Sequence, residues 1–253
     1  LRVDFNASDP ALDSYFVNDS GRFNISVEGV LGNATLLALG EYYIDVSVND
    51  TTDHRNTTTL NINVSDTLTP KVFFSFPGND SWYQLGNITL SYSATDPSNL
   101  STCIIYGTFN SSWHANSTNL TPTKGVLDFL NLNLSNGSYI WNVLCNDTIG
   151  NAAFNATNYT FYIDSIVPSV LLNYPVDDNT SVAEVMNFNW TVTDNLDRSM
   201  LCNLSINGTV NISSILSQNG TSTNQTINGI RTGAYSWNIS CWDNASNAVS
   251  YTH

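Results

Sequence analysis

The 253-residue sequence predicts an all-β chain of three tandem β-sandwiches. Three observations carry that expectation: apolar and polar residues alternate with a period of two, one block recurs about every 97 residues, and short clusters of Asn, Gly, Asp and Pro separate the alternating runs. Successive strand residues point to opposite faces, so such alternation puts one set into a core and the other into solvent. No window carries a helical period.

The repeat sets the organisation. Gly40 to Asp50 reads GEYYIDVSVND, Gly137 to Asp147 reads GSYIWNVLCND, and Gly233 to Asp243 reads GAYSWNISCWD. All three share Gly, Tyr at +2, Ile or Trp at +4, Val or Ile at +6, Val or Cys at +8 and Asp at +10. The approaches DTLTPKVFFSFPGN and DSIVPSVLLNYPVDDN also match, so Pro70 and Pro168 mark boundaries. Modules are therefore expected at 1–68, 69–167 and 168–253. Along the chain, Ile88, Leu90, Tyr92 and Ala94 should face inward, then Phe188, Trp190 and Val192, with Asn189 and Thr191 outward. In the last block Tyr235, Trp237, Ile239 and Cys241 fall on the inner face, and Ser236, Asn238 and Ser240 on the outer one.

Composition excludes several partners. Charged residues are 11% of the chain, against about 25% in ordinary soluble proteins, with Lys71 and Lys124 the only lysines and a net charge of -14. Nucleic acid and acidic membrane surfaces repel such a chain. Salt-adapted acidic proteins use many carboxylates, whereas here Asn, Ser and Thr supply the polarity. No run approaches the roughly 18 apolar residues of a membrane span, so this segment is not expected to insert in a bilayer. No basic-then-apolar leader opens it, and the sequence reads as mature or cut from something longer.

Asn-x-Ser/Thr acceptors are far too frequent for chance. There are 27 among 36 Asn, against about 8 expected from the Ser and Thr content. In the first module they are Asn6, Asn18, Asn24, Asn33, Asn49, Asn56 and Asn63. The second carries Asn79, Asn87, Asn99, Asn110, Asn116, Asn119, Asn133, Asn136, Asn146, Asn155 and Asn158, and the third Asn179, Asn189, Asn203, Asn207, Asn211, Asn219, Asn224, Asn238 and Asn244. Covalent N-linked glycans are expected, a sugar coat replacing charge as the solubiliser. The competing reading is that Asn, Ser and Thr simply fill exposed strands and turns.

LSNGSYIWNVLCNDTIGN in the second module resembles the penultimate-strand signature of prokaryotic immunoglobulin-like repeats. Leu134, Gly137 and Tyr139 resemble a tyrosine corner, and Asp147 to Asn151 their Asp-x-x-Gly-Asn hairpin. DNASN in the third module is similar, with Ser246 in place of Gly. The first module, from SGRFNISVEGV to NINVSD, is similar to cadherin-like modules of microbial surface proteins. This resemblance implies immunoglobulin-like sandwiches in an extracellular setting and points to no particular activity. High acceptor density with few charges most resembles an archaeal surface protein.

In the fold so implied, the third and sixth strands neighbour each other in one sheet. Cys103 would then oppose Cys145, and Cys202 would oppose Cys241, at the roughly 4.5 to 5.5 Å that a disulfide spans. Free buried thiols remain the alternative. Metal ligation by thiol and imidazole finds no support, because His54, His114 and His253 are scattered and no Cys-x-x-Cys occurs. Disulfides imply an oxidising, extracellular setting. The same topology brings the loops after the second and sixth strands to the end receiving the incoming linker. Asp96 and Asp147 would gather near Asp66, and Asp194, Asp197 and Asp243 near Asp164, as oxygen ligands for calcium at the module junctions. The cadherin Asp-x-Asn-Asp-Asn linker is absent, and turn capping by these Asp is the competing reading.

Function is expected to be structural: a subunit of a glycosylated filament, sheath or S-layer that self-associates into a polymer. The alternatives are an adhesin stalk and, on an exposed platform of Trp82, Tyr83, Trp113 and Trp242, a carbohydrate-binding module meeting host or neighbouring-cell glycans. No catalytic motif is present; Asp9 and Asp13 could be invoked as paired acids but read as solvated loop residues. LRVDFNASDP aligns with a second strand and AVSYTH with half of a last one. The ends are thus expected either to continue in a longer chain or to be completed by strands exchanged head to tail.

Overall fold

The computed structural model describes residues 1–7, 9, 11–181 and 184–253. All regular structure among them is β-strand, and no helix is long and apolar enough to cross a membrane. The chain is all-β, a tandem of immunoglobulin-like sandwiches.

The first sandwich comprises β1 (Arg2–Asp4), β2 (Leu12–Val17), β3 (Phe23–Ile25), β4 (Val30–Asn33), β5 (Gly40–Asp50) and β6 (Arg55–Val64). Its sheets, ordered β1-β4-β3 and β2-β5-β6, close on Phe23, Leu31, Ile44 and Val46. The second comprises β7 (Lys71–Phe76), β8 (Ser81–Tyr83), β9 (Asn87–Thr95), β10 (Leu100–Gly107), β11 (His114–Asn119), β12 (Asp128–Asn133), β13 (Gly137–Asp147), β14 (Ala152–Phe154) and β15 (Tyr159–Ile163). Here β12-β9-β7 faces β11-β10-β13-β15-β8, with β14 beside the end of β13. The third comprises β16 (Ser169–Tyr174), β17 (Val185–Thr193), β18 (Ser199–Ile206), β19 (Thr209–Gln218), β20 (Ser222–Asn228), β21 (Trp237–Trp242) and β22 (Ala248–Thr252), in sheets β16-β17-β20 and β19-β18-β21-β22.

Alternation decides what each core holds. Ile88, Leu90, Tyr92 and Ala94 of β9 are buried, as are Phe188, Trp190 and Val192 of β17. Trp141 and Trp190 are completely buried and anchor the second and third cores. Burying an aromatic side chain of that size stabilises by roughly 2 to 3 kcal/mol. Cys103 on β10 sits directly opposite Cys145 on β13, and Cys202 on β18 opposite Cys241 on β21. Both pairs are disulfides with Cα atoms 4.1 Å apart.

The corner ahead of β13 follows from local hydrogen bonding. Tyr139 donates its hydroxyl to Ser135 O at 2.8 Å, and Tyr42 donates to Ala38 O at the same distance. Gly86 meets this corner backbone to backbone: Leu134 N donates to Gly86 O, and a Cβ on Gly86 would lie 1.9 Å from Leu134 O. Only glycine fits there.

Tyr235 departs from the inward expectation. Trp237, Ile239 and Cys241 are buried, but Tyr235 precedes β21 and stands 46% exposed. Its counterpart Tyr139 stacks on Phe161 of β15, a strand that pairs with Gly137–Trp141. β22 pairs with β21 from Trp242 to Asn238, and among the described residues no strand pairs with Tyr235.

Candidate metal centre

At one end of the second sandwich three elements meet: the incoming segment at Asp66, the β9–β10 loop at Asp96, and the β13–β14 turn at Asp147. Asp147 Oδ1 accepts the N–H groups of Ile149, Gly150 and Asn151 at 2.9, 2.6 and 2.8 Å, and Oδ2 accepts Asn151 Nδ2 at 2.7 Å. Asn151 Nδ2 also donates to Asp66 O at 3.2 Å, which ties the turn to the incoming segment. Asp66 Oδ2 accepts Ser98 N and Ser98 Oγ, and its Oδ1 accepts Leu68 N. Asp96 Oδ1 shares Ser98 N, whereas Asp96 Oδ2 is buried without a partner.

The third sandwich repeats the device. Asp243 accepts Asn247 N and Nδ2 at 2.7 and 2.8 Å, and Asn247 Nδ2 donates to Asp164 O at 2.9 Å. Asp197 Oδ2 accepts Asn244 N at 2.7 Å, and its Oδ1 accepts Asn244 Nδ2. Asp164 Oδ1 accepts Ile166 N, but Asp164 Oδ2 has no partner although the residue is 0% exposed.

In each place three carboxylates offer oxygens within 4.8 Å of one another: Asp66, Asp96 and Asp147, then Asp164, Asp197 and Asp243. Asp194 stands one step outside the second set. Its Oδ1 accepts Leu196 N and Asp197 N, shaping the loop, and its Oδ2 is buried and unpartnered. Hydrogen bonds from Ser98 and Leu68 hold the Asp66 carboxyl below the ordinary carboxylate range. Burial works against Asp147, but hydrogen bonds from Asn151, Gly150 and Ile149 outweigh it and leave that carboxyl low as well. Burial pushes Asp96 up, helped by Asp66 and Asp147. Burial likewise raises Asp197, with Asp194 and Asp243 adding repulsion, and raises Asp243, with Asp164 and Asp194 adding theirs.

Such a donor set is all hard oxygen. Ligands about 2.3 to 2.6 Å from a calcium ion lie at most about 5 Å apart across it, so the observed spacing fits that cation. The turn-capping reading is also realised, because each carboxylate accepts backbone N–H groups. Capping uses one oxygen of Asp164 and leaves the other facing like charges.

The acceptor asparagines face outward. None of the 27 is buried, and the two buried Asn, Asn142 and Asn247, are not acceptors. Ser8, third residue of the Asn6 triplet, lies outside the described residues. Several acceptors nevertheless use their amide internally. Asn219 Nδ2 donates to Asp194 O and Asp197 O at 2.8 and 2.6 Å, and Asn155 Nδ2 donates to Val72 O at 2.7 Å.

The aromatic candidates do not share a platform. Trp82 stacks on Tyr162 with ring centres 4.2 Å apart, Tyr83 packs against the second core, and Trp113 lies near Tyr106 at the opposite edge of that sheet. Trp242 belongs to the third sandwich. Asp9 and Asp13 bond to Ala11 N and Ser14 Oγ next to them. His54 and His253 meet Asp50 and Asp177, and His114 meets Ser112 O. Sequence reasoning missed Asn151 and Asn247 as clasps. The final Asn of the Asp-x-x-Gly-Asn hairpin was the available signal.

Residues 126–227 match the family model of a bacterial Ig-like domain (group 3), from ahead of β12 into β20. No curated protein matches the chain. Among solved structures, the chain is similar to the fibronectin(III)-like modules of Clostridium thermocellum CbhA at 14% identity and a TM-score of 0.41, covering 72% of this chain and 90% of that one. The tetra-tandem repeat in the extending region of a large adhesion protein shares 18% identity at a TM-score of 0.39, covering 95% of this chain and 65% of that one. The human desmocollin-1 ectodomain shares 16% at 0.32, and 94% of this chain spans half of that one.

Proposed function

We propose that residues 1–253 are a load-bearing extracellular segment of a cell-surface assembly, in which calcium clamps successive sandwiches and N-linked glycans cover their outer faces. Self-association of the parent protein into a polymer belongs to the same reading. The observation that carries it is Asp164: fully buried, one oxygen unpartnered, and grouped with Asp197 and Asp243. Buried like charges repel strongly unless a counter-charge joins them. A divalent cation supplies that charge and links the incoming segment to two loops of the receiving sandwich at once. Its removal leaves three carboxylates pushing the same elements apart. The all-strand chain and its two disulfides suit an oxidising exterior.

Thermal unfolding of the protein in calcium and in EGTA tests this. Calcium at 100 times its dissociation constant stabilises by about 2.7 kcal/mol, a rise of several degrees. An identical melting profile in the two buffers overturns the clamp.

A further inference from the structure

The two joints share one plan, and two residues are exchanged between them. Asp96 Oδ1 accepts Ser98 N two residues on, and Asp194 Oδ1 accepts Leu196 N in the same turn, both at 2.9 Å. Leu196 therefore stands where Ser98 stands. Gly125 N donates to Ala94 O and Gly220 N to Val192 O, each carbonyl two residues ahead of that Asp, so Lys124 and Asn219 correspond as well.

Each exchange takes away something the first joint has. Ser98 gives Asp66 Oδ2 two donors, its N–H at 3.0 Å and its hydroxyl at 2.7 Å. Asp164 is held like Asp66 through its other oxygen, which accepts Ile166 N at 3.0 Å where Asp66 Oδ1 accepts Leu68 N at 2.9 Å. Leucine has no hydroxyl to offer Asp164 Oδ2. Asp96 Oδ2 and Asp194 Oδ2 are buried and unpartnered in both joints alike, so Asp164 Oδ2 is the orphan that the second joint adds. Lys124 sets its ammonium 3.2 Å from Pro97 O, next along the chain from Asp96, whereas Asn219 brings a neutral amide to Asp194 O and Asp197 O. The second joint also gains a carboxylate. Thr148 N donates to the backbone O of Asn99, but the matching Asn244 N donates to the side chain of Asp197, which joins Asp164 and Asp243.

We propose that the two joints bind calcium unequally, tightly at Asp164 and weakly at Asp66, and that Ser98 and Lys124 against Leu196 and Asn219 set the difference. A calcium ion entering the first joint must displace the Ser98 hydroxyl from Asp66 Oδ2 and works against the Lys124 charge. At the second it meets a bare oxygen and one more acid. The first joint thus keeps its shape when calcium is scarce, and the second is the one that calcium stiffens. This inference rests on the calcium-clamp reading and divides the clamp between the joints.

Calcium chloride is titrated calorimetrically into the intact protein and into single variants. The expected result is one tight event per chain, with a second weaker by about tenfold or more. Leu196→Ser, which returns a hydroxyl to Asp164, should weaken the tight event by about tenfold, whereas Leu196→Ala, which adds no donor, should leave it unchanged. Ser98→Ala and Lys124→Asn should strengthen the weak event and leave the tight one as it is. Two equal events, no weakening by Leu196→Ser, equal weakening by Leu196→Ala, or a tight event altered by Ser98→Ala overturns this inference and leaves the clamp standing. No calcium binding by the unaltered protein overturns the clamp and this inference with it.

Discussion

The clusters around Asp66 and around Asp164 look alike on paper and differ in how their charge is held. In the first, Asp66 and Asp147 are surrounded by N–H and hydroxyl donors that keep their carboxyls low, and Asp96 alone is raised. In the second, all three members are buried, Asp197 and Asp243 are raised, and Asp164 keeps an oxygen with nothing to accept from. One arrangement is largely a turn brace. The other buries all three carboxylates together, so under the clamp proposed above a cation would stabilise it more, although Asp96 Oδ2 in the first cluster is unpartnered as well.

The largest expected contrast comes from removing a brace. Asp147→Ala strips the acceptor from three backbone N–H groups and one amide, and should cost about 2 to 4 kcal/mol by chemical denaturation in EGTA. Asp164→Asn in EGTA should be neutral or slightly stabilising, since it removes a buried like charge and keeps the acceptor for Ile166 N, yet it should abolish the calcium response of that joint. Equal damage from both substitutions in EGTA would erase the distinction.

A smaller effect is expected from pH. Asp197 and Asp243 are raised in the folded state, so the folded chain holds their protons more tightly. In EGTA their contribution to stability therefore grows as pH falls from 7 toward the ordinary carboxylate value of 3.8. Asp66 and Asp147 are lowered, and theirs is lost only below that value. Asp197→Asn should flatten the stability gain between pH 7 and 4, whereas Asp66→Asn should not.

The smallest effect concerns one acceptor. Both amide protons of Asn219 are committed to Asp194 O and Asp197 O, behind the second cluster, so a glycan there would displace that loop. Peptide mapping of native protein should find Asn219 bare while the exposed Asn211 is modified. A glycan on Asn219 would show that the loop is not held this way.

Much of this architecture was legible in the linear sequence because strand alternation is a property of neighbouring residues. Phe188, Trp190 and Val192 declare their face within five positions, and the repeated Gly-to-Asp block announces the frame three times. The same alternation puts Cys241 on the inner face with Trp237 and Ile239, where all three are buried. What the tertiary structure decided depends on groups far apart in the chain. Asn151 reaches Asp66 across 85 residues, and Asn247 reaches Asp164 across 83. Asp194 belongs by sequence with Asp197 but turns to brace its loop, because the nearest N–H groups are those of Leu196 and Asp197. Tyr235 carries the inward phase of its strand yet is exposed, because it lies ahead of β21 and no strand among the described residues pairs with it. Periodicity assigns a side to each residue; only the packing of distant loops sets which carboxylates share a space and which are left without a partner.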